Sequence, residues 1–467
     1  MFNRFSTFFI QAQIIILIIW YSTHNSLPVV LCEIILVLLL TLNKLGKGIV
    51  LREIIAFHST VILLLMPQVG YLFYSIENPQ ASLWVKYMPV SSLIYFYFII
   101  PAVLLFNLTL LWPISNKNNT DEGSIFLEKF DSIKYKLNNS NIKPQRLILI
   151  GTIFHFVNSF LPIAFQYVGF LFFLISFTGF LMLYFMPKAR NRVAFILYFI
   201  MYIAYVTLNS GMFTIVVYMG MTIFSFLFLK KNIGILWKLL AFCFILFALI
   251  TIQNVKGVFR TFSRSENSAI TFGNLVADEV KEGNAYFSID KFFYIYVRAN
   301  QGFYVGNVMK YIPSQKDYDD GEYLYKAFLS SFVPRLLWPD KPKAGGRFTT
   351  KYYTGNDLVG STSMNVSPFG EAYGSFGPSG GIIYLFFLAL SIRWVYIKIF
   401  ILSDRFPFLI FWIPVIFFQV TYSMETDSLQ IFNSVIKSVI FLTLLYYFFP
   451  VLFGVMKQPN RHRLISA

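Results

Sequence analysis

Apolar residues fall in long unbroken blocks along this chain, and polar residues gather in short connections and one long insert. A run of about 18 apolar residues is long enough to cross a bilayer as a helix. The pattern predicts twelve spans, near 5–22, 26–43, 53–74, 91–113, 147–165, 167–187, 193–208, 211–229, 235–252, 379–399, 406–423 and 431–452. Nine precede the insert at 253–378 and three follow it. The expected fold is an all-α polytopic membrane protein in three parts. Residues 1–252 form a nine-span region with a polar linker at 114–146, residues 253–378 one large loop, and residues 379–467 a three-span region with a tail.

The charges decide which way these spans run. Lys44, Lys47 and Arg52 follow the second span, Lys143 and Arg146 close the linker, and Lys188, Arg190 and Arg192 follow the sixth. Lys230 and Lys231 follow the eighth, Arg393, Lys398 and Arg405 border the connection after the tenth, and Lys457, Arg461 and Arg463 mark the tail. The alternate connections 22–26, 209–211 and 423–430 hold no lysine or arginine, and Lys86 is the one exception among the short ones. Positive residues stay on the cytoplasmic side, so both termini are expected there and the long loop outside. The linker at 115–145, rich in Asn and Lys, reads as solvated chain.

Composition agrees with this class. The chain is 57% hydrophobic and 13% charged, where a soluble domain carries about 25% charged residues. The formal charge of +16 would suggest nucleic acid in a soluble protein. Here the loop holds 14 Lys/Arg against 12 Asp/Glu, a net of +2, so most of the excess lies in the short connections that encode topology. No nucleic-acid partner is expected. Cys32 and Cys243 lie inside apolar segments and read as small buried hydrophobes, leaving no disulfide and no metal cage. The start of the chain reads as an uncleaved first span.

The loop is not composed like a disordered segment. Phe292 to Val297 is an aromatic and aliphatic cluster with Lys291 and Arg298 at its margins, suited to a helix on a membrane surface. Tyr323 to Leu329 is a second such cluster. It leads into Phe332 to Pro342, where Pro334, Pro339 and Pro342 exclude a regular helix and hold Arg335 and Lys341 on a rigid chain. Gly345, Gly346 and the glycines of 367–377 allow close backbone approach to a ligand.

Five loop arginines, Arg260, Arg264, Arg298, Arg335 and Arg347, lie on the side that the positive-inside rule depletes. Their guanidinium forks suit phosphate oxygens, and a diphosphate would engage two or three of them. The bland reading pairs them with Asp317, Asp319, Asp320 and Glu322. Glu371, expected at the outer mouth of the tenth span, is suited to act as a general base toward a sugar hydroxyl. Its bland reading is a pair with a loop arginine. Glu425 and Asp427, in the last outer connection, are secondary candidates for the same site. None of His24, His58, His155 and His462 lies in the loop, so no histidine pair or metal cluster is expected there. Within the spans Glu33 is the clearly central acid, too isolated for a proton relay of several groups.

Pro334-Arg335, Trp338, Lys341-Pro342, Thr362-Ser363, Gly370-Glu371-Ala372-Tyr373 and Phe376-Gly377 together resemble the outer-loop signature of bacterial polysaccharide repeat-unit polymerases, the Wzy-type O-antigen polymerase family. The resemblance covers Phe332 to Pro342 and Thr362 to Gly377. Arg335 and Gly346 also satisfy that family's spacing of Arg, ten residues, Gly. Such members usually carry it in two outer loops, whereas this chain has one. The resemblance implies metal-independent glycosyl transfer without a cofactor at the outer face of the bacterial cytoplasmic membrane. Donor and acceptor would be polyprenyl-diphosphate-linked oligosaccharides, with a chain-length regulator and a flippase as partners. Arg335 would stabilise the leaving diphosphate with Arg260, Arg264, Arg298, Lys341 and Arg347. Glu371 would be the base, and Trp338, Tyr352, Tyr353 and Tyr373 would contact sugar. The alternatives are an O-antigen ligase-like enzyme, counted against by the loop's lack of histidine, and a lipid-linked oligosaccharide flippase or other transporter. A carrier would be expected to show internal repeats, and none is apparent.

Overall fold

The computed structural model describes residues 4–74, 87–114, 122–186, 193, 197, 225–229, 233–259, 269–281, 289–333, 335, 337–343, 345–358 and 364–455. No β-strand forms among the described residues. Seven of their helices are long and apolar enough to cross a membrane. Large apolar side chains such as Ile15, Ile18, Ile35, Phe387 and Tyr447 remain more than half exposed on the outer helix faces. A multi-pass membrane protein presents such a surface to lipid.

The first half is built of α1 (Arg4–Thr23), α2 (Ser26–Lys44), α3 (Leu51–Phe73) and α4 (Ser92–Leu111). Asn25 caps α2 by accepting the Leu27 N–H. Helix α3 opens into a π-helical turn over Val61–Leu65. Helix α5 (Glu122–Asn138) follows, then α6 (Pro144–Val157) and α7 (Ile163–Phe185) as an antiparallel hairpin turning near Pro162. Gly151 lies against Ser176 and Gly179 against Ile148, and side chains there would hold the two backbones apart. Helix α8 (Ile235–Phe259) matches the ninth expected span. The seventh and eighth, 193–208 and 211–229, fall almost wholly outside the described residues.

The polar insert supplies α9 (Ala269–Lys281), α10 (Ile289–Ala299), α11 (Gly302–Tyr311), α12 (Glu322–Ser330) and α13 (Gly346–Thr354). Both expected clusters are helical, in α10 and α12, and the proline-rich run between α12 and α13 has no helix among its described residues. The chain ends with α14 (Ser367–Leu402), a broken segment over Pro407–Glu425, and α15 (Ser428–Phe448).

Four expectations change. The 115–145 linker is not simply solvated chain: α5 buries Phe130, Ile133 and Leu137, spaced three and four apart on one face. Its Lys129 pairs with Asp404 at 2.8 Å. The eleventh span is irregular, with 3-10 turns over Pro407–Trp412 and Val420–Glu425 flanking a short α-helix, and Pro414 withholds a helical N–H there. Cys32 and Cys243 are exposed on their helix faces and not buried.

The largest change concerns the start of the tenth span. Helical structure begins at Ser367 and breaks at Gly377, whose φ of 69° and ψ of −172° suit only glycine. A straight helix of 36 residues would be about 54 Å long. Instead, a Cβ at Gly381 would lie 3.0 Å from the Ala372 carbonyl oxygen. Nine residues along one helix would separate those sites by roughly 14 Å, so Ser367–Phe376 folds back along the segment after Gly377. The re-entrant arm packs on α4 through Phe98–Tyr373 and Phe106–Phe369.

Candidate active site

The fold-back carries Glu371 into the bundle, fully buried, rather than leaving it at the mouth of a span. Its Oε2 accepts the Ser428 N–H at 2.7 Å, at the start of α15. A helix N-terminus supplies free N–H groups and a partial positive charge to a carboxylate. Glu371 Oε1 has no hydrogen-bond partner among the described residues. Among the described residues no arginine pairs with Glu371.

Asp427 is the second acid at the same helix end, also fully buried. Oδ1 caps α15 by accepting the Gln430 N–H at 2.6 Å, and Oδ2 accepts the Gly345 N–H at 3.1 Å. The second bond ties the proline-rich segment to the bundle. Burial pushes the Asp427 carboxyl up, and the Gln430 and Gly345 N–H groups oppose this only in part. Glu371 lies within electrostatic reach of Asp427, Tyr323, Tyr353 and Tyr384. The Tyr384 hydroxyl bonds Ser428 Oγ at 2.9 Å, which steadies the residue that binds Glu371.

Beside this pair, Glu425 Oε2 accepts from Arg298 Nη2 at 2.7 Å, and Oε1 lies 3.3 Å from His58 Nε2. Asn365 donates to the Glu425 carbonyl at 3.3 Å, and Gln301 donates to the Asn365 carbonyl at 2.5 Å. One short region thus joins α3, α10, α11 and the chain before α14.

A cavity of about 930 Å³ opens on the other side of Tyr323. Its walls include Lys326, Arg335, Lys341 and Lys343 among the cations and Trp338, Phe348 and Tyr352 among the aromatics. Arg335 is exposed and uses Nη1 on the Pro339 carbonyl at 3.2 Å, leaving other donors of its fork to face the cavity. Lys341 is spent differently, because its buried Nζ donates to Ser330 O at 2.8 Å and Val333 O at 2.7 Å. Burial, and then the neighbouring Arg335 charge, lower its pKa. Tyr323 belongs to both regions. Its ring lines the cavity, and its buried hydroxyl has no partner among the described residues.

The structure brings Arg335, Trp338 and Lys341 together around one cavity, and Glu371, which does not line it, lies within electrostatic reach of Tyr323, which does. Other expected residues go elsewhere. Arg298 holds Glu425, and Arg347 donates to the Leu358 carbonyl through Nε at 3.1 Å and Nη2 at 2.8 Å. Tyr373 is buried between Phe98 and Tyr318, and Tyr353 is buried with its hydroxyl 2.8 Å from Ser375 Oγ. Neither ring can stack on a sugar. Arg260, Arg264, Thr362 and Ser363 lie outside the described residues. Of the glycines expected to approach a ligand, Gly374 packs against Tyr353 and Gly346 against the Met364 backbone, whereas Gly345 has open space beside it. Two of the loop acids take other partners among the described residues: Asp319 accepts from Tyr352 at 3.0 Å, and Glu322 pairs with Lys326.

Sequence reasoning passed over Tyr323 and Asn365 and set His58 aside. The signal available for His58 was a histidine in an otherwise apolar span, which marks a polar partner elsewhere. No protein-family model, curated protein or solved structure matches this chain.

Proposed function

We propose that this protein is a glycosyltransferase that joins polyprenyl-diphosphate-linked oligosaccharide repeat units into a surface polysaccharide. The observation that carries the reading is Tyr323, which lines a cation-walled cavity and lies within electrostatic reach of Glu371, a buried carboxylate with an uncommitted oxygen. Arg335 and its lysine neighbours suit a diphosphate, and Trp338 suits a sugar ring. In this reading Glu371 takes the proton of the acceptor hydroxyl as its oxygen bonds the anomeric carbon of the donor. The bond from that carbon to the diphosphate breaks, and Arg335 stabilises the charge left on the leaving group. The resemblance around Arg335 and Glu371 supports the same assignment.

The finer topology belongs to this proposal. Twelve spans, both termini in the cytoplasm and the 253–378 insert on the outer face of a bacterial cytoplasmic membrane would bring the site to lipid-linked units after their export. A flippase and a chain-length regulator are the partners this implies.

A second reading, an O-antigen ligase-like transferase, is favoured by His58. The insert has no histidine of its own, yet Glu425 links its Arg298 to His58 of α3. The test uses membrane vesicles supplied with polyprenyl-diphosphate-linked repeat units, with wild type, Glu371→Gln and Arg335→Ala compared at equal protein level. Loss of a general base should slow chain growth by about 10²–10⁴-fold. A product ladder undiminished in Glu371→Gln would sink the assignment of the base. Transfer onto a separate lipid acceptor without ladder growth would favour the ligase.

A further inference from the structure

A polar cluster far in sequence from the proposed site lies between the first four helices. Glu33 of α2 is fully buried. Its Oε2 accepts from Gln13 Nε2 of α1 at 2.6 Å, and its Oε1 accepts from Asn107 Nδ2 of α4 at 2.8 Å. The Asn107 amide nitrogen also donates to Thr60 Oγ1 at 3.0 Å, and Asn107 Oδ1 accepts from Ser59 Oγ at 3.0 Å. Thr60 is the residue just before the π-helical turn of α3, a type of distortion that often marks functional sites.

Among the described residues no cation pairs with Glu33. Several charged and titratable groups on the surrounding helices are engaged elsewhere. Lys44 pairs with Glu53 at 3.0 Å, and Arg52 donates to the carbonyls of Leu110 and Trp112. His58 faces Glu425, Lys238 of α8 donates to the Leu42 and Leu45 carbonyls, and Tyr95 donates to the Leu63 carbonyl. Two amide N–H dipoles do not offset the cost of a bare carboxylate in a bundle interior. Gln13 Oε1 is buried and has no hydrogen-bond partner among the described residues. Amide nitrogen and oxygen exchange places by a half-turn, which would set Gln13 Oε1 opposite Glu33 Oε2. Two oxygens come this close only when they share a hydrogen or ligate one cation.

We infer that Glu33, Gln13, Asn107 and Thr60 form a site for one monovalent cation, a proton or a sodium ion. One carboxylate balances one positive charge, so a divalent ion would leave the interior charged. Glu33 and Thr60 offer oxygens, as would a turned Gln13, and oxygen donors suit a hard cation, while the Asn107 amide nitrogen holds the carboxylate in place.

The test uses the purified full-length protein in detergent. Thermal unfolding is followed across sodium chloride at constant ionic strength, with choline chloride as the replacement, for wild type and Glu33→Gln. A sodium site predicts a Tm that rises with the logarithm of sodium concentration in wild type and is flat in the variant. A bound proton predicts no sodium dependence but a carboxylic-acid carbonyl band in the infrared spectrum, shifted by ¹³C-glutamate labelling and absent from Glu33→Gln. If Glu33→Gln fails to fold, Gln13→Met serves instead. It should raise the sodium concentration at half-effect at least tenfold, or shift the acid band. Wild type that ignores sodium and shows ionised carboxylate bands alone would overturn the inference.

Discussion

The backbone carbonyl of Ala372 faces Gly381, although nine residues separate them along what begins and ends as helix. This contact turns a 36-residue segment into a hairpin and sets Glu371 against the start of α15. Gly377 makes the turn. Gly377→Ala forces a side chain into a backbone conformation that L-residues avoid, at about 1–3 kcal/mol. We expect a lower Tm and a loss of transfer activity without any change at Arg335. An unaltered Tm would mean that the turn is not strained by a Cβ.

Arg298, Glu425 and His58 form one unit across α10, α3 and the last broken span. Arg298→Ala and Glu425→Gln should therefore be non-additive, with a coupling energy of about 0.5–3 kcal/mol in a double-mutant cycle of unfolding. Arg298 is half-exposed, which places the expected value toward the low end. Strict additivity would separate the insert from the bundle energetically.

Tyr323 holds a buried hydroxyl with no partner among the described residues, and an unsatisfied polar group costs stability. Tyr323→Phe should thus be neutral or slightly stabilising by thermal melt. If the hydroxyl contacts substrate between the cavity and Glu371, the same variant should lose transfer activity. A variant as active as wild type would leave Tyr323 as a wall and no more.

Burial raises the Asp427 carboxyl above its ordinary value. The sign of the linkage follows. Well below pH 4 the group is protonated both folded and unfolded, and its contribution to stability is at its fullest. As pH rises the unfolded chain ionises first, so Asp427 contributes progressively less to stability until the folded form ionises as well. Wild-type Tm should fall relative to that of Asp427→Asn as pH rises from about 4 toward neutrality. Parallel curves for the two proteins would contradict the shift.

Lys341 ties the Ser330 and Val333 carbonyls into the proline-rich segment. Lys341→Met should free both acceptors and cost about 1–3 kcal/mol. Faster proteolysis near 331–343 would be the local readout, and an unchanged cleavage pattern would argue that the segment is held by its prolines alone.

Much of this architecture was legible in sequence because it is local. Apolar block length marks membrane-crossing helices, clustered aromatics mark α10 and α12, and prolines forbid helix around Arg335. Arg335 and Trp338 share a cavity partly because they are only three positions apart. The linker helix α5 was also legible, in the spacing of Phe130, Ile133 and Leu137, but its Asn and Lys content masked that stripe. What the tertiary structure alone decided involves distance along the chain. His58 meets Glu425 across 367 positions, and Asn107 reaches Glu33 across 74. Ser367 to Gly377 reads locally as a small-residue loop end, because the same glycines that permit a turn also permit close helix packing. Only the packing against α4 and α15 selects the fold-back. Periodicity reports which face of a helix is apolar, but not which partner covers it, and that partner determines where Glu371 and Glu33 lie.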